Sequence, residues 1–213
     1  MYDKYLSIIT NFGCHFQCPY CIVKKNGIDV PRTTIESLDY LEEAVKAEGA
    51  NIISVSGGGD PLFEYQKHED YYIKLFGLCE EMNIPLEMHT SYKKEYLFPY
   101  AKCHRVVYHC FYVRDLKRII RFGKEKVRVV FVVTKGFDSE KINAIEEFVR
   151  NSPDIDELSF RQMVDENYQV TTYCQDYLRS GHKKRWWYIE QNDYNTYFVE
   201  GKIYREFSKI GKE

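Results

Sequence analysis

The chain has 213 residues, 44% of them apolar, and a formal net charge of −2. That is enough for one domain with a real core, or a domain with a modest extension, and the near-neutral balance excludes a strong global attraction to nucleic acid. Seven cysteines form no even framework, which argues against a secreted disulfide scaffold. With no run of about eighteen apolar residues and no signal-like start, a cytoplasmic protein without a membrane span is expected.

Residues 5–9 read as a strand entering a loop that holds Cys14, Cys18 and Cys21. Thr33 and Glu36 have capping-box spacing, and Ile35, Leu38, Leu41 and Val45 follow at helical period until Gly49. Residues 51–56 form a second strand, ending in Gly57-Gly58-Gly59-Asp60-Pro61. The next helix carries Tyr72, Leu75, Phe76, Cys79 and Met82 on one stripe, which assigns Cys79 to the core. A third strand, 85–89, ends at His89-Thr90-Ser91 and is followed by a short helix over 92–101. A fourth, 105–109, leads into a basic amphipathic helix over 114–124 that carries Arg114, Lys117, Arg118 and Arg121. The fifth, 127–133, is a nearly continuous apolar run suited to burial on both faces. A helix capped by Asp138 or Ser139 spans 138–150, and strand six, 155–160, passes into Arg161-Gln162-Met163.

Six strands alternating with helices imply a parallel sheet with right-handed crossovers, and six units are too few for a closed barrel of eight. The expected fold class is α/β, an open (β/α)6 partial TIM barrel over residues 1–163 with a C-terminal α+β extension over 164–213. In that extension a helix is read over 166–180 and a hairpin is read between 185–190 and 196–199. A third strand is read over 202–207. The extension is expected to close the open side of the barrel and to grip a substrate. The basic-aromatic run Lys183 to Trp187 suits either a nucleic-acid contact or a solvated turn leading into the hairpin.

Ligands of parallel α/β folds sit beyond the carboxyl ends of the strands, where the cysteine loop, Gly57–Asp60, Thr90-Ser91 and Arg161 all fall. Three thiolates are one fewer than the four that normally close an iron–sulfur cubane, leaving one iron open. A zinc site using His15, or thiols that merely pack, compete for the same residues. The spacing Cys14-x3-Cys18-x2-Cys21, with aromatic Tyr20 before the last cysteine, resembles the signature of the radical S-adenosylmethionine (radical SAM) superfamily. The resemblance covers roughly residues 3–163 and implies a [4Fe-4S] cluster held by Cys14, Cys18 and Cys21, its open iron chelated by SAM, with Tyr20 near the adenine.

Gly57-Gly58-Gly59-Asp60-Pro61 resembles the family's motif for the methionine amino group, with Asp60 where Glu is usual. Thr90 and Ser91 stand where relatives contact the ribose or carboxylate of SAM, although helix capping is an alternative. Arg161 could pair with the SAM carboxylate or form a surface salt bridge. The implied activity is an oxygen-sensitive oxidoreductase or lyase. An external donor of flavodoxin or ferredoxin type would supply an electron, SAM would be cleaved to methionine and a 5′-deoxyadenosyl radical, and hydrogen would be taken from a substrate. Among small relatives the substrate is nucleotide-like, a glycyl-radical enzyme or a peptide; a small or nucleotide-like molecule is favoured here. Cys103, Cys110 and Cys174 match no second cluster motif, and a zinc or iron–sulfur nucleic-acid module is the alternative of another class.

Overall fold

The computed structural model describes residues 3–93, 98–181, 187–189 and 194–212. Its frame is one nine-stranded sheet in the order β7-β6-β5-β4-β3-β2-β1-β8-β9. The six predicted strands are β1 (Tyr5–Thr10), β2 (Ile52–Gly57), β3 (Leu86–Thr90), β4 (Arg105–Cys110), β5 (Lys126–Val133) and β6 (Glu157–Gln162). Each pairs in parallel with the next. The sheet is therefore mostly parallel and open, since β7 and β9 stand at opposite edges.

Alternation along the strands sorts two environments. Leu6, Ile8, Ile53, Val55, Met88, Val106, Val129 and Phe131 join the main core. There they meet helices α2 (Leu41–Glu48), α3 (Glu69–Glu81) and α4 (Ser139–Arg150), whose Leu41, Leu75, Ile142 and Ile145 are fully covered. The other face of the same strands carries Ser7, Ser54, Glu87, His89, Arg105, Arg128 and Ser159, all buried. The concave side of the sheet is thus a polar lumen. The continuous apolar reading of β5 holds except at Arg128.

Local chemistry corrects several helix boundaries. The capping box at Thr33 and Glu36 does not form: the Thr33 hydroxyl accepts the Asn11 N–H (2.7 Å) and the Thr34 hydroxyl donates to Glu200 (2.6 Å). A 3₁₀ turn, Glu36–Tyr40, precedes α2, which ends at Gly49 in the left-handed region (φ 59°). The basic helix shrinks to a 3₁₀ segment, Val113–Arg118, because Asp115 draws the Phe111 and Tyr112 N–H groups back (2.8 and 3.0 Å) and Ile119 is extended. Asp138 caps α4 as expected, accepting from the Lys141 N–H (2.8 Å). The helix over 92–101 reduces to a 3₁₀ turn, Tyr100–Lys102, within the described residues.

The C-terminal fifty residues depart furthest from expectation. Asp165 accepts the N–H groups of Asn167 and Gln169 and fixes a turn where helix was expected, so α5 covers Gln175–Gly181. The predicted hairpin is not made. Its first arm becomes β7 (Trp187–Ile189), parallel to β6, and its second becomes β8 (Tyr197–Val199), parallel to β1 at the far side of the sheet. The hairpin that exists joins β8 to β9 (Lys202–Tyr204) through Glu200 and Gly201, both at positive φ. Most of the Lys183–Trp187 run lies outside the described residues.

Candidate active site

The cysteine loop leaves β1 and ends in helix α1 (Ile22–Asn26), with Cys21 at its N-cap. Cys14, Cys18 and Cys21 are half-buried free thiols. The Cys14 sulfur accepts the Phe16 N–H (3.4 Å), and Lys24 donates to the Phe16 carbonyl (2.8 Å). Burial and the neighbouring Cys21 and Cys14 sulfurs push the Cys18 thiol up to about 11. Burial, with Asp60 and Cys21 adding to it, raises Cys14. Three thiols within electrostatic reach of one another repel as thiolates and are relieved by bound metal cations, the condition a cluster satisfies.

Among the described residues no three His, Cys, Asp or Glu side chains converge as they would around one ion. His15 is exposed and packs on Phe16, Phe63 and Tyr92 rather than completing a tetrahedron with the sulfurs. A cubane asks for a wider set, since each thiolate binds its own iron and the fourth iron needs no protein ligand. The donor chemistry therefore fits such a cluster better than a closed zinc site.

The Gly57–Asp60 turn is locked onto this loop. The Asp60 N–H donates to the Gly13 carbonyl (3.0 Å). A Cβ on Gly59 would lie 2.0 Å from that same oxygen, and one on Gly58 would lie 2.7 Å from the Val30 side chain. These glycines are required by the approach of protein to protein. Asp60 is 4% exposed. One carboxylate oxygen accepts from the Leu62 N–H (3.0 Å) and the Thr90 hydroxyl (2.8 Å), and the other from the Ser91 N–H (2.7 Å). Burial raises its pKa, opposed first by the Ser91 N–H and then by Thr90. Asp60 and Thr90 therefore act as a clasp between the second and third strand ends, and the Thr90 hydroxyl also accepts the Tyr92 N–H (3.0 Å).

These pieces border one cavity of about 580 Å³ at the carboxyl ends of the strands, a size ordinary for a small-molecule site. Tyr20, Gly57, Gly59, Asp60, Thr90, Ser91 and Arg161 line it. Tyr20, 5.9 Å from the Phe111 ring, is buried enough to keep its phenol protonated. Arg161 is half-buried and forms no ion pair among the described residues. Cys79, Cys103 and Cys110 are core residues, with burial pushing Cys79 and Cys110 up to about 12, and the Cys174 thiol meets the Phe137 carbonyl (3.2 Å).

Other lumen residues carried no role in the sequence. Glu87 accepts from His89 Nε2, Arg105 and the Tyr194 hydroxyl, each at 2.6 Å, and His89 Nδ1 lies 3.2 Å from His109 Nε2. Arg105 and Arg128 also pair with Glu157. The signal was present: charged residues at alternating places inside apolar parallel strands must face a common interior.

No family model matches the chain, and no curated protein matches it by sequence. Among solved structures it is similar to Streptococcus suis SuiB bound to S-adenosylmethionine, with a TM-score of 0.56 and 17% identity. The match covers 89% of this chain and 47% of that one, so the chain spans about half the length of SuiB. At that identity the likeness is one of fold.

Proposed function

We propose that the chain is a radical SAM enzyme, with residues 1–163 as its core and 164–213 as a cover over the substrate. The observation that carries the reading is the seating of the Gly57–Asp60 turn on the Gly13 carbonyl. It joins the loop that carries the three half-buried thiols to the turn whose Gly57, Gly59 and Asp60 line a cavity with Tyr20, Thr90-Ser91 and an Arg161 without an ionic partner among the described residues. The fold shared with a protein solved bound to SAM supports it.

Cys14, Cys18 and Cys21 would hold a [4Fe-4S] cluster. When bound, and reduced by an external donor of flavodoxin or ferredoxin type, the cluster supplies the electron that cleaves SAM to methionine and a 5′-deoxyadenosyl radical able to take hydrogen from a substrate. The rest falls to this chain's residues. The Asp60 clasp keeps the backbone of residues 57–59 and Ser91 in place for the methionine moiety. Arg161 offers a forked donor to its carboxylate, and Tyr20 provides an apolar wall for the adenine. The substrate is a small or nucleotide-like molecule.

Anaerobic reconstitution with iron and sulfide, followed by dithionite and SAM, tests the proposal by mass spectrometry of 5′-deoxyadenosine. Wild type is expected to form it, and Cys18→Ala, with two of three sulfurs left, is expected to form none. An equal yield from the variant would refute the ligand assignment.

A further inference from the structure

The 3₁₀ segment Val113–Arg118, which follows the carboxyl end of β4, carries an unbalanced charge. Residues three apart in such a turn share an edge, so Val113 and Leu116 pack against the core while Arg114 and Lys117 share an outer edge. Arg114, Lys117 and Arg118 are exposed, and none of them forms an ion pair among the described residues. Arg121, further along, is matched by Asp156 (2.8 Å). The acid of the segment, Asp115, is turned inward, 9% exposed, where it accepts the Phe111 and Tyr112 N–H groups. Three cations thus stand together without a paired acid on a chain whose net charge is −2.

This surface adjoins the cysteine loop. The Phe111 ring lies 5.9 Å from that of Tyr20 and 6.2 Å from that of Phe16, the aromatic residues next to Cys21 and between Cys14 and Cys18. Its neighbour Tyr112 is 56% exposed, and the Arg114 guanidinium sits 4.5 Å from the centre of the Tyr112 ring. Exposed tyrosine and arginine side by side are the residues that most often anchor protein–protein contacts. The charge asks for a partner with an acidic surface. A nucleic acid fits less well, because bases stack on bare aromatic faces and Arg114 already covers one face of Tyr112.

We infer that Tyr112, Arg114, Lys117 and Arg118 form the docking surface for an acidic redox protein of flavodoxin type, which gives up its electron on the Phe111 side of the cysteine loop. The inference rests on the proposal above that this loop holds a cluster. One electron leaves the reduced flavin of the partner and enters the cluster; no bond breaks and no atom is transferred. Opposite charges across the contact raise the encounter rate and fix the orientation, and salt screens them.

Flavodoxin is titrated into the reconstituted full chain by calorimetry, and 5′-deoxyadenosine is followed with either reduced flavodoxin or dithionite as the electron source. In Arg114→Glu and in Lys117→Glu the flavodoxin affinity and the flavodoxin-driven rate are each expected to fall about tenfold. Lys202→Glu, on β9 at an outer edge of the sheet, should change neither. The dithionite-driven rate should match wild type in all three variants, since a small reductant needs no docking surface, a split that lost packing does not give. Unchanged flavodoxin affinity in the Arg114 and Lys117 variants would overturn the inference. So would a dithionite-driven rate that falls with the flavodoxin-driven one, or a short single-stranded RNA that binds this surface more tightly than flavodoxin does. If dithionite yields no product in wild type the cluster reading fails, while the titration, which needs no turnover, still decides the docking surface.

Discussion

Asp60 shows how one residue type serves a purpose its position in a motif does not reveal. Both of its oxygens are taken by Leu62, Thr90 and Ser91, so a shorter acid in place of Glu is explained by a short reach to the next strand end. Asp60→Asn would turn an amide N–H₂ toward backbone N–H donors in a buried place. It is expected to lower stability by about 1–3 kcal/mol in thermal unfolding and to weaken SAM binding by about tenfold in titration, with iron and sulfide content unchanged. Unchanged SAM affinity would remove the clasp from the site. That an acid belongs at residue 60 was legible in the sequence. That both of its oxygens are engaged was not, because hydrogen-bond partners 30 residues away are chosen by strand register.

Among elements, the loop from β1 and the turn after β2 behave as one unit through the Gly13 carbonyl. Gly59→Ala would bring a methyl within 2.0 Å of that backbone oxygen, a clash no rotamer change relieves. It is expected to prevent both cluster retention and SAM binding while leaving the helix content by circular dichroism near wild type. Retained iron and SAM affinity would show that the two loops move independently. Among the core strands β5 was the most legible, because a parallel strand buried on both sides announces itself as a β-branched run. Helices were overextended wherever Asp115 or Asp165 bends the chain by accepting nearby N–H groups, a competition that apolar periodicity does not register. The misassigned hairpin has a similar cause: segments 187–189 and 197–199 are close in sequence, but each finds an unpaired edge of the sheet, β6 and β1, at opposite sides.

At the scale of the whole molecule, the sheet separates an apolar outer layer from a polar lumen whose charges balance at its floor. Glu87 is held far below its ordinary value of 4.5, its burial outweighed by hydrogen bonding and attraction from His89, then Arg128 and Arg105. A depressed carboxylate contributes stability that is full above its unfolded value and is lost as pH falls through and below that range. The depressed His109 acts in the same sense, beginning near 6.5. Urea midpoints are therefore expected to fall from about pH 6.5 downward and more steeply below about 4.5. Glu87→Gln should flatten the acid limb and cost about 3–5 kcal/mol at neutral pH by leaving the buried arginines uncompensated. A flat profile between pH 4 and 7 would contradict this view of the lumen. The most direct test of the central claim, that three thiols leave one iron free for SAM at the mouth of this lumen, is electron paramagnetic resonance of the reconstituted, dithionite-reduced protein. Addition of SAM is expected to change the g-values of a [4Fe-4S]⁺ signal; a signal indifferent to SAM, or no cluster signal at all, would contradict it.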